Sequence, residues 1–334
     1  MKKLLAEWEE QKFVQLVFPH KDTDWNAYLD EAIATFVNIA KSISKYQKCL
    51  IVAKNLKYVK SLFENYKFKR NIIFTRIDSN DTWSRDFGGI TIEENNQLTL
   101  LDFKFNGWGK KYPYNLDNKI TQQLKLKGLL KNYKHKTINF VLEGGSIDVN
   151  TQGVLLTTTK CLLEKNRNPH LNKKTIEKTL VDLLGIKKIL WLNSGALSGD
   201  DTDSHIDTLA RFVSNNTIVY QSCTNKNNQD YQELKDMEEE LKTFTTLEGA
   251  KYKLIPLPNI DPIYDEDDEQ LPATYANFLI INGAVLVPIY NIKSDTVALD
   301  IFKSLFPKRD IIGIDCSTLI KQHGSLHCVT MQYY

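Results

Sequence analysis

The chain of 334 residues sets 43 Lys and Arg against 41 Asp and Glu, and a net charge of +2 makes no electrostatic case for a nucleic-acid or membrane-surface partner. Hydrophobic residues at 42% and charged residues at 25% are the balance of a globular chain with ample material for a core. Five scattered cysteines without a C-x-x-C pair, and a start "MKKLLAEWEEQKF" broken by Glu7, Glu9 and Glu10, lead to the expectation of a reduced, cytoplasmic protein. No apolar run is long enough for a membrane-spanning helix.

Strand-like and amphipathic stretches alternate from end to end. "FVQLVF" (13–18) reads as a buried strand, followed by a helix that opens at an N-cap-like Asp24 and carries Ala32, Phe36 and Ile39 at helical spacing. "CLIVA" and "IIFTRI" are strands around a helix over 56–66, and "GITIEENNQLTLLDF" (89–103) is a hairpin about a polar Glu-Asn-Asn turn. A helix over 116–131, the strand "TINFVL" and the hairpin "SIDVNTQGVLLTT" come next, then a helix over 173–184 and the strand "KKILWL". The hairpin "TLARFVSNNTIVYQS", a helix over 229–243 and "KLIPL" form another round. The last comprises a hairpin at Asn282-Gly283, a helix over 295–305, "DIIGID" and the tail. Five such rounds without a Pro/Gly/Ser-rich linker predict one domain of repeated βαβ-like modules over residues 1–334. The acidic "YDEDDEQ" (264–270) reads as a solvated loop, and the basic "KLKGLLKNYKHK" (125–136) as the wet face of a helix.

Four polar knots stand at strand ends or in the following turns, where scaffolds display reactive groups. "NDTWSRDFGG" (80–89) holds Trp83, Arg85 and Asp86; "FVLEGGS" (140–146) holds Glu143; "GDDTDSHIDTLARF" (199–212) holds His205 and Asp207; the tail holds His327 and Cys328. On an extended segment His205 and Asp207, two apart, would face one volume. His205, Asp207, His327 and Cys328 are acceptable zinc ligands, yet no H-E-x-x-H or C-x-x-C spacing supports a metal, and no phosphate-binding glycine loop opens a helix. A cysteine beside an imidazole is a nucleophile–base pair. Carboxylates around it suit a planar cation with forked N–H donors, so the residues suggest thiolate attack on a guanidinium carbon between Asp86 and Asp207.

Eight blocks, among them "AEWE" (6–9), "FPHKDTDW" (18–25), "NDTWSRDFGG", "LEGGSIDV", "TTTKCLLEKNRNP" (157–169), "GDDTDSHIDTLARF", "TYANFLIINGAVLVP" (274–288) and "GSLHCVTMQ", resemble the agmatine deiminase family, grouped with the bacterial-type peptidylarginine deiminases. The resemblance implies a five-bladed α/β propeller (pentein) of ββαβ modules about a pseudo-fivefold axis, with the site at its centre. It implies Cys328 as nucleophile, His205 as general acid/base, Glu143 as the carboxylate that orients His205, Asp86 and Asp207 as the guanidinium clamp, and Trp83 as channel lining. The tail departs from the longer glycine run ending in Asn-Ile-His-Cys that many relatives carry.

The expected reaction is hydrolysis of agmatine, a small cationic guanidino substrate, to N-carbamoylputrescine and ammonia through a cysteinyl thiouronium. It would serve putrescine and polyamine biosynthesis, with no metal, organic cofactor, nucleic acid or membrane involved, and with a homodimer allowed for. A deiminase of free or peptidyl arginine, an amidinotransferase and a non-enzymatic polyamine-binding protein are the alternatives; ammonia release sets an enzyme apart from the binding protein, and a new guanidino product would mark the transferase. Four finer expectations accompany this reading. Arg85 holds Asp86. His327 is structural and points away from Cys328 along a strand. Cys49 and Cys223 fill core. Glu9 or the "DEDDE" loop (265–269) meets the substrate's amine.

Overall fold

The computed structural model describes residues 2–334. Its described strands form five separate small sheets, and a repeated sequence grammar builds them. In four of them an antiparallel pair joins a third strand lying parallel to the second, after a helix that covers the crossover. Lys2–Leu4, Ile90–Glu94, Gln97–Lys104 and Lys134–Val141 make one sheet, in that spatial order. Ile147–Val149, Val154–Thr158 and Lys188–Leu192 make the next, then Ala210–Ser214, Thr217–Gln221 and Lys253–Leu257, then Leu279–Ile281, Ala284–Ile289 and Asp310–Asp315. Such parallel crossovers need a helix to carry the chain back and cover a face of the sheet. Lys173–Leu184, Tyr231–Thr243 and Ser294–Leu305 do so here.

The fifth sheet joins the two ends of the chain. Phe13–Val17 runs parallel to Lys48–Val52, which runs parallel to Ile72–Thr75; on the other side Thr330–Tyr333 pairs antiparallel with Phe13–Val17. The C-terminal strand thus supplies what a hairpin supplies elsewhere. Phe13 stacks on Tyr333 at 4.6 Å, and the Tyr133 hydroxyl donates to the Tyr334 carbonyl at 2.6 Å, so the tail is held on both faces.

The hairpins are set by turn chemistry. Asn95 and Asn96 both take positive φ (53° and 63°), the left-handed pair that a two-residue hairpin turn requires. Helix ends were less legible. Residues Asp24–Tyr28 form a 3₁₀ turn with Thr23 at its N-cap, and the α-helix proper is Leu29–Ser44. The helix expected over 56–66 stops at Ser61, and that expected over 116–131 is a 3₁₀ turn followed by Ile120–Leu126. The basic run therefore straddles a helix end and the start of the strand Lys134–Val141 rather than lining one helix face. No described helix is long and apolar enough to cross a membrane.

Candidate active site

Sheet ends and their turns bring the four polar knots together. A cleft of about 400 Å³ is lined by Asp24, Asp81, Asp86 and Asp201, by Trp83, Trp108 and Tyr112, and at its floor by Cys328. His205, Glu143 and Asp207, all wholly buried, lie beneath that floor. His205 and Asp207 meet Asp86 at Gly145: a methyl group there would come within 2.6 Å of His205 Nδ1, 2.9 Å of Asp86 Oδ1 and 3.1 Å of Asp207 Oδ2. Convergence on this glycine joins three of the expected knots at one point.

Asp86 sits in a four-residue helical turn, Ser84–Phe87. Its Oδ1 accepts from the Gly145 N–H and its Oδ2 from Trp108 Nε1, both at 3.0 Å. Burial pushes its carboxyl up to about 6 despite the neighbouring His205. Trp108 reaches it from Gly107-Trp108-Gly109, three consecutive residues at φ 67°, 52° and 82°. A tryptophan in the left-handed region is strained, and here the strain aims an indole N–H into the site. Trp83 is fixed by donating from Nε1 to Asp81 Oδ2 at 3.0 Å, and a methyl at Gly324 would strike its ring at 2.2 Å. The short glycine stretch of the tail therefore keeps the one glycine that this contact demands.

His205 follows a left-handed pair, Asp203 and Ser204 (both φ 66°), and caps the 3₁₀ turn Ile206–Thr208. The segment is thus a turn, not the extended stretch expected, yet both side chains still reach Gly145. Neither ring nitrogen of His205 makes a hydrogen bond; Nδ1 lies 3.6 Å from Asp86 Oδ1 and Nε2 3.9 Å from Glu143 Oε2. Burial opposes its charge, but Asp86, then Cys161 and Glu143, hold the imidazole well above its ordinary range. Glu143 stands at ion-pair distance from that ring while both its oxygens accept from Arg167 Nε, at 3.0 and 2.9 Å. Burial works against the Glu143 charge, and Arg167 and His205 hold the carboxyl low. The same guanidinium ties the loop before His205 through Asp203 Oδ2 (2.6 Å) and the Thr202 carbonyl (2.8 Å).

Cys328 lies in a turn before the last strand, not on it. Its sulfur is 3.4 Å from Asn277 Oδ1, an oxygen that also accepts the N–H of His327 (2.8 Å) and of Cys328 (3.3 Å). Burial, then Asp207 and Asp86, push the thiol well above its ordinary range. A cation between those carboxylates would reverse that effect. His327 does not point into neutral surroundings: Nδ1 meets Asp207 Oδ2 at 2.7 Å and Nε2 meets Glu7 Oε2 at 2.6 Å. Cys161 is a second buried thiol at the site, 4.0 Å from Glu143 Oε2. Glu143, Cys161 and His205 offer three donors within 4.8 Å of one another. Arg167 already occupies both Glu143 oxygens, so that donor set is poorly suited to a cation.

Several expectations change here. Arg85 does not hold Asp86; its Nε donates to the His327 carbonyl at 3.4 Å and its Nη2 lies 3.8 Å from Glu7 Oε2. Glu9 pairs with Lys3 and accepts from the Ala6 N–H, and the "DEDDE" loop bonds within itself through Asp265. Neither borders the cleft, whose outer carboxylates are Asp24, Asp81 and Asp201. Cys49 and Cys223 are buried as expected. Glu7, Trp108, Gly145, Cys161, Arg167 and Asn277 were given no part at the site. Glu7, Cys161, Arg167 and Asn277 stood in matched sequence blocks, while Trp108 announced itself only as an aromatic between two glycines.

An acidic cleft floored by a thiol, with a buried imidazole below, on a mixed α/β scaffold, defines a guanidinium-modifying hydrolase. The comparisons agree. The chain belongs to the Porphyromonas-type peptidyl-arginine deiminase family, whose model matches residues 3–333. It is similar to a Porphyromonas gingivalis protein described provisionally as an arginine deiminase, with 46% identity and a TM-score of 0.95 over 100% of this chain and 98% of that one. A cysteine-to-serine variant of C. jejuni agmatine deiminase with substrate bound shares 43% identity and a TM-score of 0.93, over 100% of this chain and 96% of that chain. The agmatine deiminase of Pseudomonas aeruginosa is 29% identical over 98% of this chain and 94% of its own length.

Proposed function

We propose that this protein hydrolyses agmatine to N-carbamoylputrescine and ammonia, with Cys328 as nucleophile, His205 as acid and base, Glu143 holding His205, and Asp86 and Asp207 clamping the guanidinium under Trp83. One observation carries the choice of substrate. The residues lining the cleft above Cys328 include four carboxylates and no lysine or arginine. A linear dication fits such walls, its stem against Trp83, Trp108 and Tyr112 and its amine near Asp24, Asp81 or Asp201. Free arginine would bring its α-carboxylate against those same groups, at a cost of about 1–3 kcal/mol or more. The substrate-bound C. jejuni relative adds support from outside the chain.

The chemistry follows from the charges. The resting thiol is neutral beside two carboxylates; entry of the guanidinium supplies positive charge, and the thiol proton leaves to solvent. The thiolate adds to the central carbon, forming the S–C bond. His205, protonated at rest, gives its proton to the departing nitrogen, which leaves as ammonia and breaks the C–N bond. Neutral His205 then takes a proton from water, hydroxide adds to the thiouronium, and the C–S bond breaks to release the ureido product.

The same reading covers architecture and setting. We take residues 1–334 as one domain, a five-bladed propeller whose fifth blade is completed by Thr330–Tyr333; the support is the repeated hairpin–helix–strand grammar of the five sheets. Five unpaired thiols fit a reducing cytoplasm, where the product would feed putrescine formation. The test is mass spectrometry of products, with ammonia assayed in parallel, across agmatine, arginine, a benzoyl-arginine peptide and an amine acceptor. The proposal expects agmatine to lead in kcat/KM, with one imino nitrogen replaced by oxygen. Arginine or the peptide matching agmatine would defeat the specificity, and a new guanidino product without ammonia would defeat the hydrolysis.

A further inference from the structure

His327, one residue before the thiol, is 2% exposed and wedged between two carboxylates, Asp207 at Nδ1 and Glu7 at Nε2, at 2.7 and 2.6 Å. A neutral imidazole has one N–H and one lone pair. It could donate to only one of them, leaving two lone pairs facing each other at hydrogen-bond distance at the other contact. Burial works against charge at each, yet Arg211, His327 and Arg85 keep Glu7 well below the usual carboxylate range, and His327, His205 and Arg211 lower Asp207 as well, so each favours its charged form. Both ring nitrogens therefore donate, and the ring is an imidazolium.

That state has a consequence for Asp207. With Oδ2 committed to His327, its other oxygen, Oδ1, is wholly buried and has no hydrogen-bond partner. A buried carboxylate oxygen is costly to leave unpaired, and here it belongs to the residue expected to grip a forked N–H donor. Glu7 is itself held from behind. It accepts from Arg211 Nη2 at 3.0 Å and from the Ile280 N–H at 2.6 Å, while Arg211 is locked by Asp148 Oδ1 at 2.8 Å and the Phe278 carbonyl at 2.9 Å. The charged groups facing the ring are thus Asp207 and Glu7, with Arg211 and Arg85 behind Glu7, and the Cys328 thiol next along the chain.

We infer that His327 is a positioning residue for guanidinium binding: a ring fixed between Glu7 and Asp207, donating to both, ties one oxygen of Asp207 and presents the other to the substrate. The inference rests on the reading of Asp207 as a clamp. Glu7, 320 residues away in sequence, then matters to binding through one imidazole.

The test measures agmatine binding by calorimetry in a Cys328→Ser background, where turnover is blocked, with His327→Gln, Glu7→Gln and Asp207→Asn added singly. His327→Gln should weaken binding about 10- to 100-fold. Glu7→Gln should weaken it less but bring a new pH step. Its ring can go neutral by accepting from the new amide, so affinity falls as pH rises through the neutral range, a fall that the parent, its cleft carboxylates already ionised there, does not show. A merely structural role would add no such step. Because His327→Gln can fail to fold, ring ¹⁵N NMR of the intact protein is the companion measurement. The His327 ring, told apart from the protonated His205 ring by comparison with His205→Ala, should show both nitrogens protonated at neutral pH. Finding His327 neutral near pH 7, or His327→Gln binding like the parent while Asp207→Asn binds weakly, overturns this inference alone. Asp207→Asn binding as tightly as the parent overturns the clamp reading and the inference with it.

Discussion

Gly145→Ala separates catalysis from folding at a single atom. Its φ lies outside the left-handed region, so the backbone itself tolerates alanine. The added methyl would stand 2.6, 2.9 and 3.1 Å from His205, Asp86 and Asp207, where ordinary contact begins at 3.4 Å. These side-chain tips must therefore retreat by roughly 0.3–0.8 Å. Misplacing reacting groups by about 1 Å costs on the order of 10²-fold in rate, and overpacking costs roughly 1–3 kcal/mol in stability. We expect kcat/KM to fall about 30- to 100-fold, with a folded protein of modestly lower Tm. Gly144→Ala is the contrast. Its methyl would meet the Arg85 carbonyl oxygen at 2.3 Å, a backbone atom that cannot swing away, so that variant should lose stability before activity can be judged. The assay is ammonia-release kinetics on agmatine together with thermal unfolding. Gly145→Ala with kcat/KM within about threefold of the parent would refute the convergence of these groups on the reaction.

Cys328→Ser should abolish turnover, whereas Cys161→Ser, which loses only a 4.0 Å contact to Glu143, should keep most of it; the reverse would reassign the nucleophile. Because burial and the carboxylates of Asp207 and Asp86 hold the Cys328 thiol neutral, its alkylation by iodoacetamide in the free enzyme should keep accelerating with pH beyond the neutral range. A plateau already at pH about 7 would contradict that. On the acid side, Asp86 and Asp81 each carry a carboxyl raised by burial to about 6, so kcat/KM for a dication should fall as pH drops through that value. Asp81→Asn should remove one group's share of the fall, and an unchanged profile would exclude Asp81. Arg167→Lys breaks a buried fork that holds Glu143, Asp203 and the Thr202 carbonyl at once, and should cost about 3–5 kcal/mol by thermal or denaturant unfolding; a change below about 1 kcal/mol would mean Lys suffices.

Much of the strand framework was readable because it rests on local signals. The hairpin at 89–103 turns on two asparagines that tolerate positive φ, and the helix at 173–184 starts at Asn172, whose side chain accepts from the Thr175 N–H at 3.0 Å. Helix ends failed where tertiary packing took over, as after Ser61. The site was legible as residue types at strand ends, but its wiring was not. The pairing of His327 with Glu7 spans 320 residues, and that of Arg167 with Glu143 spans 24. Neither lies within a turn or one face of a helix, so no local period could announce it. Reading His327 as pointing away from Cys328 followed from assuming a strand; the turn before Thr330 removed the assumption.

That turn also explains how the Cys328 thiol is held in place close to the last strand. Three different parts of the chain hold the tail. The Arg85 N–H donates to the Cys328 carbonyl at 3.1 Å, and the Ser84 hydroxyl to the Val329 carbonyl at 2.7 Å. Asn277 Oδ1 receives the two N–H groups of His327 and Cys328, and Thr330–Tyr333 zips onto Phe13–Val17. Terminal segments open easily when few such contacts cross them. Here the turn carrying Asp86 and the segment carrying Cys328 are bonded to each other directly, so opening the tail requires breaking contacts to the Ser84–Phe87 turn as well. The contacts that hold Cys328 against the Ser84–Phe87 turn and Asn277 are therefore part of what closes the fold.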